Sequence, residues 1–132
     1  MAKLSALVID DNKLSLRLLT DILEEKKVQV FSYSDPTEFL QHHAVTCCTN
    51  DKPCFDLILT DNKMAHMNGT TFLKRIDDIG CQIAKHQTAI ISGDWDDEEL
   101  QKAEQLGCHI FCKPCPIEEI FSWVDEISAN TR

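Results

Sequence analysis

The sequence predicts an α/β domain built on a five-stranded, doubly wound parallel sheet. Short apolar runs alternate five times with stretches of helical periodicity. The runs are continuously apolar, as strands buried on both faces are. At 132 residues, 43% hydrophobic and 27% charged, the chain fits one globular domain with a core of its own. Strict alternation implies parallel strands joined by right-handed crossovers.

Leu4 to Ile9 is the first predicted strand, closed by Asp10 and Asp11. Leu14, Leu18, Leu19, Ile22 and Leu23 then recur at helical spacing, with Asp11 or Asn12 as N-cap. Val28 to Tyr33 is the second strand. Ser34-Asp35-Pro36 opens the second helix, with Pro36 suited to its first position and Phe39 and Leu40 on its apolar side. Ala44 to Pro53 has little periodicity and reads as a surface loop. Phe55 to Leu59 forms the third strand and runs into Thr60-Asp61. After Asn68-Gly69 a third helix turns Phe72, Leu73 and Ile76 inward and ends near Gly80. Thr88 to Ile91 is the fourth strand, ending at Ser92-Gly93. Asp94 to Leu106 is the fourth helix, with a thin stripe of Leu100, Ala103 and Leu106 and a stop at Gly107. Cys108 to Cys112 and Ile117 to Ile127 complete the set. Five such units fit a flavodoxin-like (βα)5 sheet of strand order 2-1-3-4-5. Its working site is expected outside the carboxyl ends of the strands, at the switch in strand order.

The net charge of −9, from 13 basic and 22 acidic residues, repels phosphate backbones and anionic headgroups, so neither nucleic acid nor membrane is an expected partner. No apolar run approaches the roughly 20 residues that cross a bilayer. Met1 to Asp11 carries one lysine and a short apolar stretch that meets two aspartates, which is no secretory signal and predicts a cytoplasmic location. Seven cysteines, an odd number scattered through apolar segments, predict reduced, buried thiols. Cys108, Cys112 and Cys115 lack the paired C-x2-C units of a zinc site. Cys112-Lys113-Pro114-Cys115 follows the last strand, whereas a thioredoxin-type pair opens a helix near the first. His42, His43, His66, His86 and His109 show no ligand spacing and read as surface residues.

The chemistry concentrates at strand ends: Asp10 and Asp11 on the first, Asp61 on the third, Ser92 on the fourth and Lys113 on the fifth. A parallel sheet puts all of them on one edge. Asp10-Asp11 alone would suit a helix cap, Lys113 alone a solvated surface lysine and Ser92-Gly93 alone a turn. Together, three crowded carboxylates raise one another's pKa and call for a hard divalent cation such as Mg²⁺. Lys113 offers a point charge to a phosphoryl oxygen, and Ser92 a hydroxyl donor to another. A carboxylate in that company suits phosphoryl transfer, where positioning and charge neutralisation dominate.

Asp10-Asp11 after an apolar strand, Asp61 ending another, Met64…Gly69, Ser92-Gly93 and Lys113-Pro114 resemble the receiver domain of two-component response regulators, over essentially the whole chain. The resemblance implies one receiver domain over residues 1–132, a signalling domain rather than an enzyme. It implies Asp61 as phosphoacceptor, Asp11 as a direct Mg²⁺ ligand and Asp10 as one acting through water. The backbone carbonyl of Lys63 would complete the protein's share of the coordination. Ser92 and Lys113 would hold phosphoryl oxygens, and the bond before Pro114 would be cis. Lys63 and Asp94 match positions that tune phosphate loss. The donor would be a phosphohistidine on a sensor histidine kinase or histidine phosphotransfer protein. The output would be a downstream protein target, with the fourth and fifth elements as its docking face or a homodimer face. An exposed Trp123, off the apolar stripe of Ile117, Ile120, Phe121, Val124 and Ile127, would suit that use.

Three departures from the family pattern stand out. Ala65 replaces a usual proline. Ile110 occupies the aromatic switch position three before the lysine, with Phe111 next and the stretch from Gly107 to Lys113 one residue short. The loop from Ala44 to Pro53 is longer than usual. Two carboxylates after the first strand would repel flavin phosphate, which excludes a flavodoxin-type carrier. An aspartyl-phosphate hydrolase would use the first strand's Asp and carry a cap domain, for which the chain has no room. A degenerate receiver, acting as a phosphorylation-independent interaction module, would lack an acid, the acceptor or the lysine; this chain lacks none of them, but its altered fifth strand leaves that reading as the alternative.

Overall fold

The computed structural model describes residues 4–43 and 55–130. The elements are β1 (Ser5–Ile9), α1 (Lys13–Glu25), β2 (Gln29–Tyr33), α2 (Pro36–His43), β3 (Leu57–Asp61), α3 (Gly69–Asp78), β4 (Thr88–Ser92), α4 (Asp97–Leu106), β5 (His109–Cys112) and α5 (Ile117–Asn130). A single 3-10 turn, Lys85–Gln87, precedes β4. The strands are all parallel, as the alternation predicts, and stand in the order β2-β1-β3-β4-β5 expected of the flavodoxin-like sheet. The predicted loop from Ala44 to Pro53 lies outside the described residues, as do Cys47, Cys48 and Cys54.

Alternation along each strand feeds two cores. Ala6, Val8, Leu57, Leu59, Ala89, Ile91 and Phe111 face α1 and α5. Leu7, Ile9, Ile58 and Ile90 face α2, α3 and α4. β1, β3 and β4 are covered on both sides, so their middles are apolar throughout. Each fully buried Leu or Ile there contributes about 1.5–3 kcal/mol. Among the described residues no helix is long and apolar enough to cross a membrane.

Several helix faces differ from the sequence reading. On α1, Leu19, Ile22 and Leu23 are buried, but Leu14 is 83% and Leu18 46% exposed. Leucines lie on more than one face of this helix, and only the set continuing Leu16, Leu19 and Leu23 meets the sheet. On α5, Trp123 is not exposed but 2% accessible, with its indole N–H donating to the His86 carbonyl at 3.0 Å. Ile120, Trp123, Val124 and Ile127 follow an i, i+3, i+4, i+7 stripe; Ile117, in the first turn, is left 46% exposed. α4 starts at Asp97, later than expected, because Asp96 is its N-cap and accepts from the Glu99 N–H. Gly107 ends it in the left-handed region, φ 75°. The thiols are less covered than predicted: Cys108 and Cys115 are half-buried and Cys112 is exposed. Burial pushes the Cys108 thiol up to about 11 and raises that of Cys115, which keeps both protonated at neutral pH.

Candidate functional site

Parallel register brings the strand ends to one rim. Ile9 pairs with Thr60, Asp61 with Ile91, and Ser92 with Cys112, so Asp10, Asp61, Ser92 and Lys113 share one edge. Backbone bonds extend the ladder past the strands: Asp10 N–H to the Tyr33 carbonyl (3.2 Å), Asn62 N–H to Ile91 (3.2 Å) and Lys113 N–H to Ser92 (2.9 Å). The Lys113–Pro114 bond is cis, as the resemblance implied.

Two of the acids, Asp10 and Asp11, are fixed by loop amides. Asp10 has no exposed surface, and its Oδ1 accepts from the Asn12 N–H at 2.9 Å. Asn12, rather than Asp11, caps α1 and accepts from the Ser15 N–H at 3.0 Å. That leaves Asp11 exposed, with Oδ2 accepting from the Ala65 N–H at 3.0 Å, a bond that ties the β1–α1 turn to the loop after β3. Asp61 is 7% exposed. Carboxylate oxygens of Asp10, Asp11 and Asp61 all lie within 4.8 Å of one another.

Lys113 reaches this cluster from β5. Its ammonium lies 3.3 Å from Asp10 Oδ2 and 3.4 Å from Asp61 Oδ1. It also donates to Ser15 Oγ at 3.3 Å. Three carboxylates thus face one ammonium. Burial, and then the charge of Asp10, push the Asp61 carboxyl up to about 6, with Lys113 pulling the other way. Burial alone would lower Lys113, but Asp10 and Asp61 more than offset it and hold the ammonium above its usual range. An oxygen-rich pocket with surplus negative charge has the donor set that a hard divalent cation takes.

Ser92 is 3% exposed at the same rim, and its Oγ accepts from the Asp94 N–H at 3.2 Å. Lys63 sits in the loop after β3, its ammonium 2.8 Å from Asp94 across the mouth of the site. This exposed pair raises the Lys63 pKa and lowers that of Asp94. Trp95 donates its indole N–H to the Phe111 carbonyl at 3.0 Å. Phe111 is buried against Trp123, with ring centroids 5.7 Å apart, while Ile110 packs on the opposite core.

Three contributors escaped the sequence reading. Ser15 touches Lys113 across the sheet edge, which nothing in its own helix announces. Asn62 is fully buried, and its side-chain amide has no hydrogen-bond partner among the described residues. Gly69, quoted only as part of a motif, is sterically required: a Cβ there would sit 2.5 Å from the Asp61 carbonyl oxygen. Gly93 is less constrained, since a Cβ would meet the Lys113 side chain at an ordinary 3.5 Å.

Residues 6–125 match the response regulator receiver domain family. The chain is 27% identical over 106 residues to the two-component response regulator ARR21 of Arabidopsis thaliana, covering 80% of this chain but only 15% of that protein. Among solved structures it is similar to a response regulator receiver domain protein of Clostridium thermocellum, with 25% identity, a TM-score of 0.77 and coverage of 94% and 93% of the two chains. A CheY-like receiver domain protein of Methanospirillum hungatei JF-1 matches at 20% identity and a TM-score of 0.79, covering 97% and 96%. Five parallel strands in this order, an acidic rim and a family match along nearly the whole chain agree, and the chain belongs to the response regulator receiver domains of two-component signalling.

Proposed function

We propose that Asp61 accepts a phosphoryl group from a phosphohistidine on a sensor histidine kinase or histidine phosphotransfer protein, and that the modified domain controls a downstream protein by shifting between two conformations. Asp10, Asp11, Asp61 and the backbone carbonyl of Lys63 would hold Mg²⁺. Bound there, the ion would neutralise the crowded carboxylates and draw the phosphoryl oxygens toward Asp61. In the transfer, an Asp61 carboxylate oxygen bonds to phosphorus as the P–N bond to the donor imidazole breaks. The electron pair leaves on the imidazole nitrogen, which takes up a proton. Lys113 moves from Asp61 Oδ1 onto a phosphoryl oxygen. Ser92, whose Oγ accepts from Asp94, keeps its own hydroxyl proton to donate to another.

The observation that carries this reading is the placement of the Lys113 ammonium, 3.3 and 3.4 Å from two members of a carboxylate triad drawn from distant parts of the chain. A docking or homodimer face on α4, β5 and α5 would use exposed groups such as His109 and Ile117, since Trp123 is buried. Intact mass measured after mixing with Mg²⁺ and a small phosphodonor tests the proposal. One phosphoryl group is expected on the wild type, lost with a chelator and absent from Asp61→Asn. Phosphate on both proteins, or on neither, contradicts it.

A further inference from the structure

We infer that Ser15 is a positioning residue for Lys113, holding its ammonium over Asp61 while the phosphoryl group arrives; the inference rests on the role proposed for Asp61. An ammonium carries three protons, and Lys113 meets three acceptors: Asp10 Oδ2 (3.3 Å), Asp61 Oδ1 (3.4 Å) and Ser15 Oγ (3.3 Å). They differ in what happens to them during transfer. Asp61 gives up its negative charge when its oxygen bonds to phosphorus. Asp10 is shared with the cation. Ser15 is the neutral member and is altered by neither event.

The local geometry is built for this use. The Ser15 N–H is fixed by Asn12 Oδ1 at 3.0 Å, so the first turn of α1 presents its hydroxyl in a set direction. Five residues on, Thr20 makes the ordinary local bond of a helical hydroxyl, to the Leu16 carbonyl at 2.7 Å. Ser15 instead engages a side chain 98 positions away. A lysine stem is flexible, and an anchor that survives the loss of charge on Asp61 keeps the ammonium within reach of a phosphoryl oxygen.

Four variants test this: Ser15→Ala, Ser15→Thr, Lys113→Met, and Ser15→Ala combined with Lys113→Met. Ser15→Ala is expected to slow phosphorylation of Asp61 by a small phosphodonor about threefold to tenfold, the worth of one modest hydrogen bond. Mg²⁺ affinity, read from Trp95 fluorescence without phosphodonor, should stay at the wild-type value. Ser15→Thr restores the hydroxyl and most of the rate. In the Lys113→Met background, Ser15→Ala should have no further effect. A wild-type rate in Ser15→Ala overturns the inference, and so does an equal slowing with Lys113 absent. Should wild-type Asp61 take no phosphate, the site assignment itself fails. Nuclear relaxation of Lys113 Nζ in the metal-free domain then still decides the contact: freer motion in Ser15→Ala supports it, and unchanged motion overturns it.

Discussion

Along β1, Ala6, Leu7, Val8 and Ile9 have no exposed surface and no polar side-chain atom; the next residue, Asp10, is equally buried and carries a carboxylate. β3 repeats the contrast, with Leu57, Ile58 and Leu59 leading to Asp61 and then to Asn62, whose amide has no partner among the described residues. The middle of the sheet satisfies every rule for a stable core. Its carboxyl-terminal rim breaks several: buried like charges, a raised acid and a backbone approach that only glycine tolerates. Stability generated in the middle is what allows the rim to hold unbalanced charge.

Truncating the core should therefore cost stability, whereas removing charge from the rim should add it. Trp123→Ala, in the middle, is expected to lose about 3–5 kcal/mol by cavity formation. Urea unfolding checks it, and a loss near zero would put Trp123 back on the surface. At the rim, Gly69→Ala should cost about 2–3 kcal/mol, because its Cβ would meet the Asp61 carbonyl at 2.5 Å. Gly93→Ala should be far milder in the same experiment, and equal losses would remove the steric distinction.

Removing charge from the rim should stabilise the fold. The Asp61 carboxyl stands at about 6 in the folded protein, against an ordinary value of 3.8. The folded state therefore holds the proton more tightly, and raising the pH from 4 through 6 works against folding. Metal-free Asp61→Asn is expected to exceed the wild type by about 2 kcal/mol at neutral pH, and to match it near pH 4. Thermal unfolding across that range reads the difference; a constant gap, or none, would break the contrast. The smallest effect lies outside both regions. Lys27, in the turn just after α1, has φ 62°, and Lys27→Gly should gain about 0.5–1 kcal/mol in urea unfolding.

The parallel strands and the membership of the rim were legible in the sequence because both follow from period and position, whereas the strand order came with the flavodoxin-like fold. Continuous apolar runs mark the strands, and a parallel sheet sends Asp10, Asp61, Ser92 and Lys113 to one edge whatever their separation. Helix faces were less legible. Leu14 and Leu18 have the composition of a core stripe, yet they point away from the sheet. Trp123 belongs to the buried stripe but looked peripheral while Ile117 and Phe121 were counted in it. Contacts across elements were the least legible. Ser15 meeting Lys113, and Gly69 pressed against Asp61, depend on how loops close in space, which no local periodicity encodes.

Crystals of the domain grown with Mn²⁺ and beryllofluoride provide the most direct measurement, through the anomalous signal of the metal. The account predicts one ion bonded to the carboxylates of Asp11 and Asp61 and to the Lys63 carbonyl. Beryllofluoride should sit on Asp61, its fluorines facing Lys113 and Ser92. An ion bound elsewhere on the domain, or beryllofluoride attached to no side chain at that rim, would contradict it.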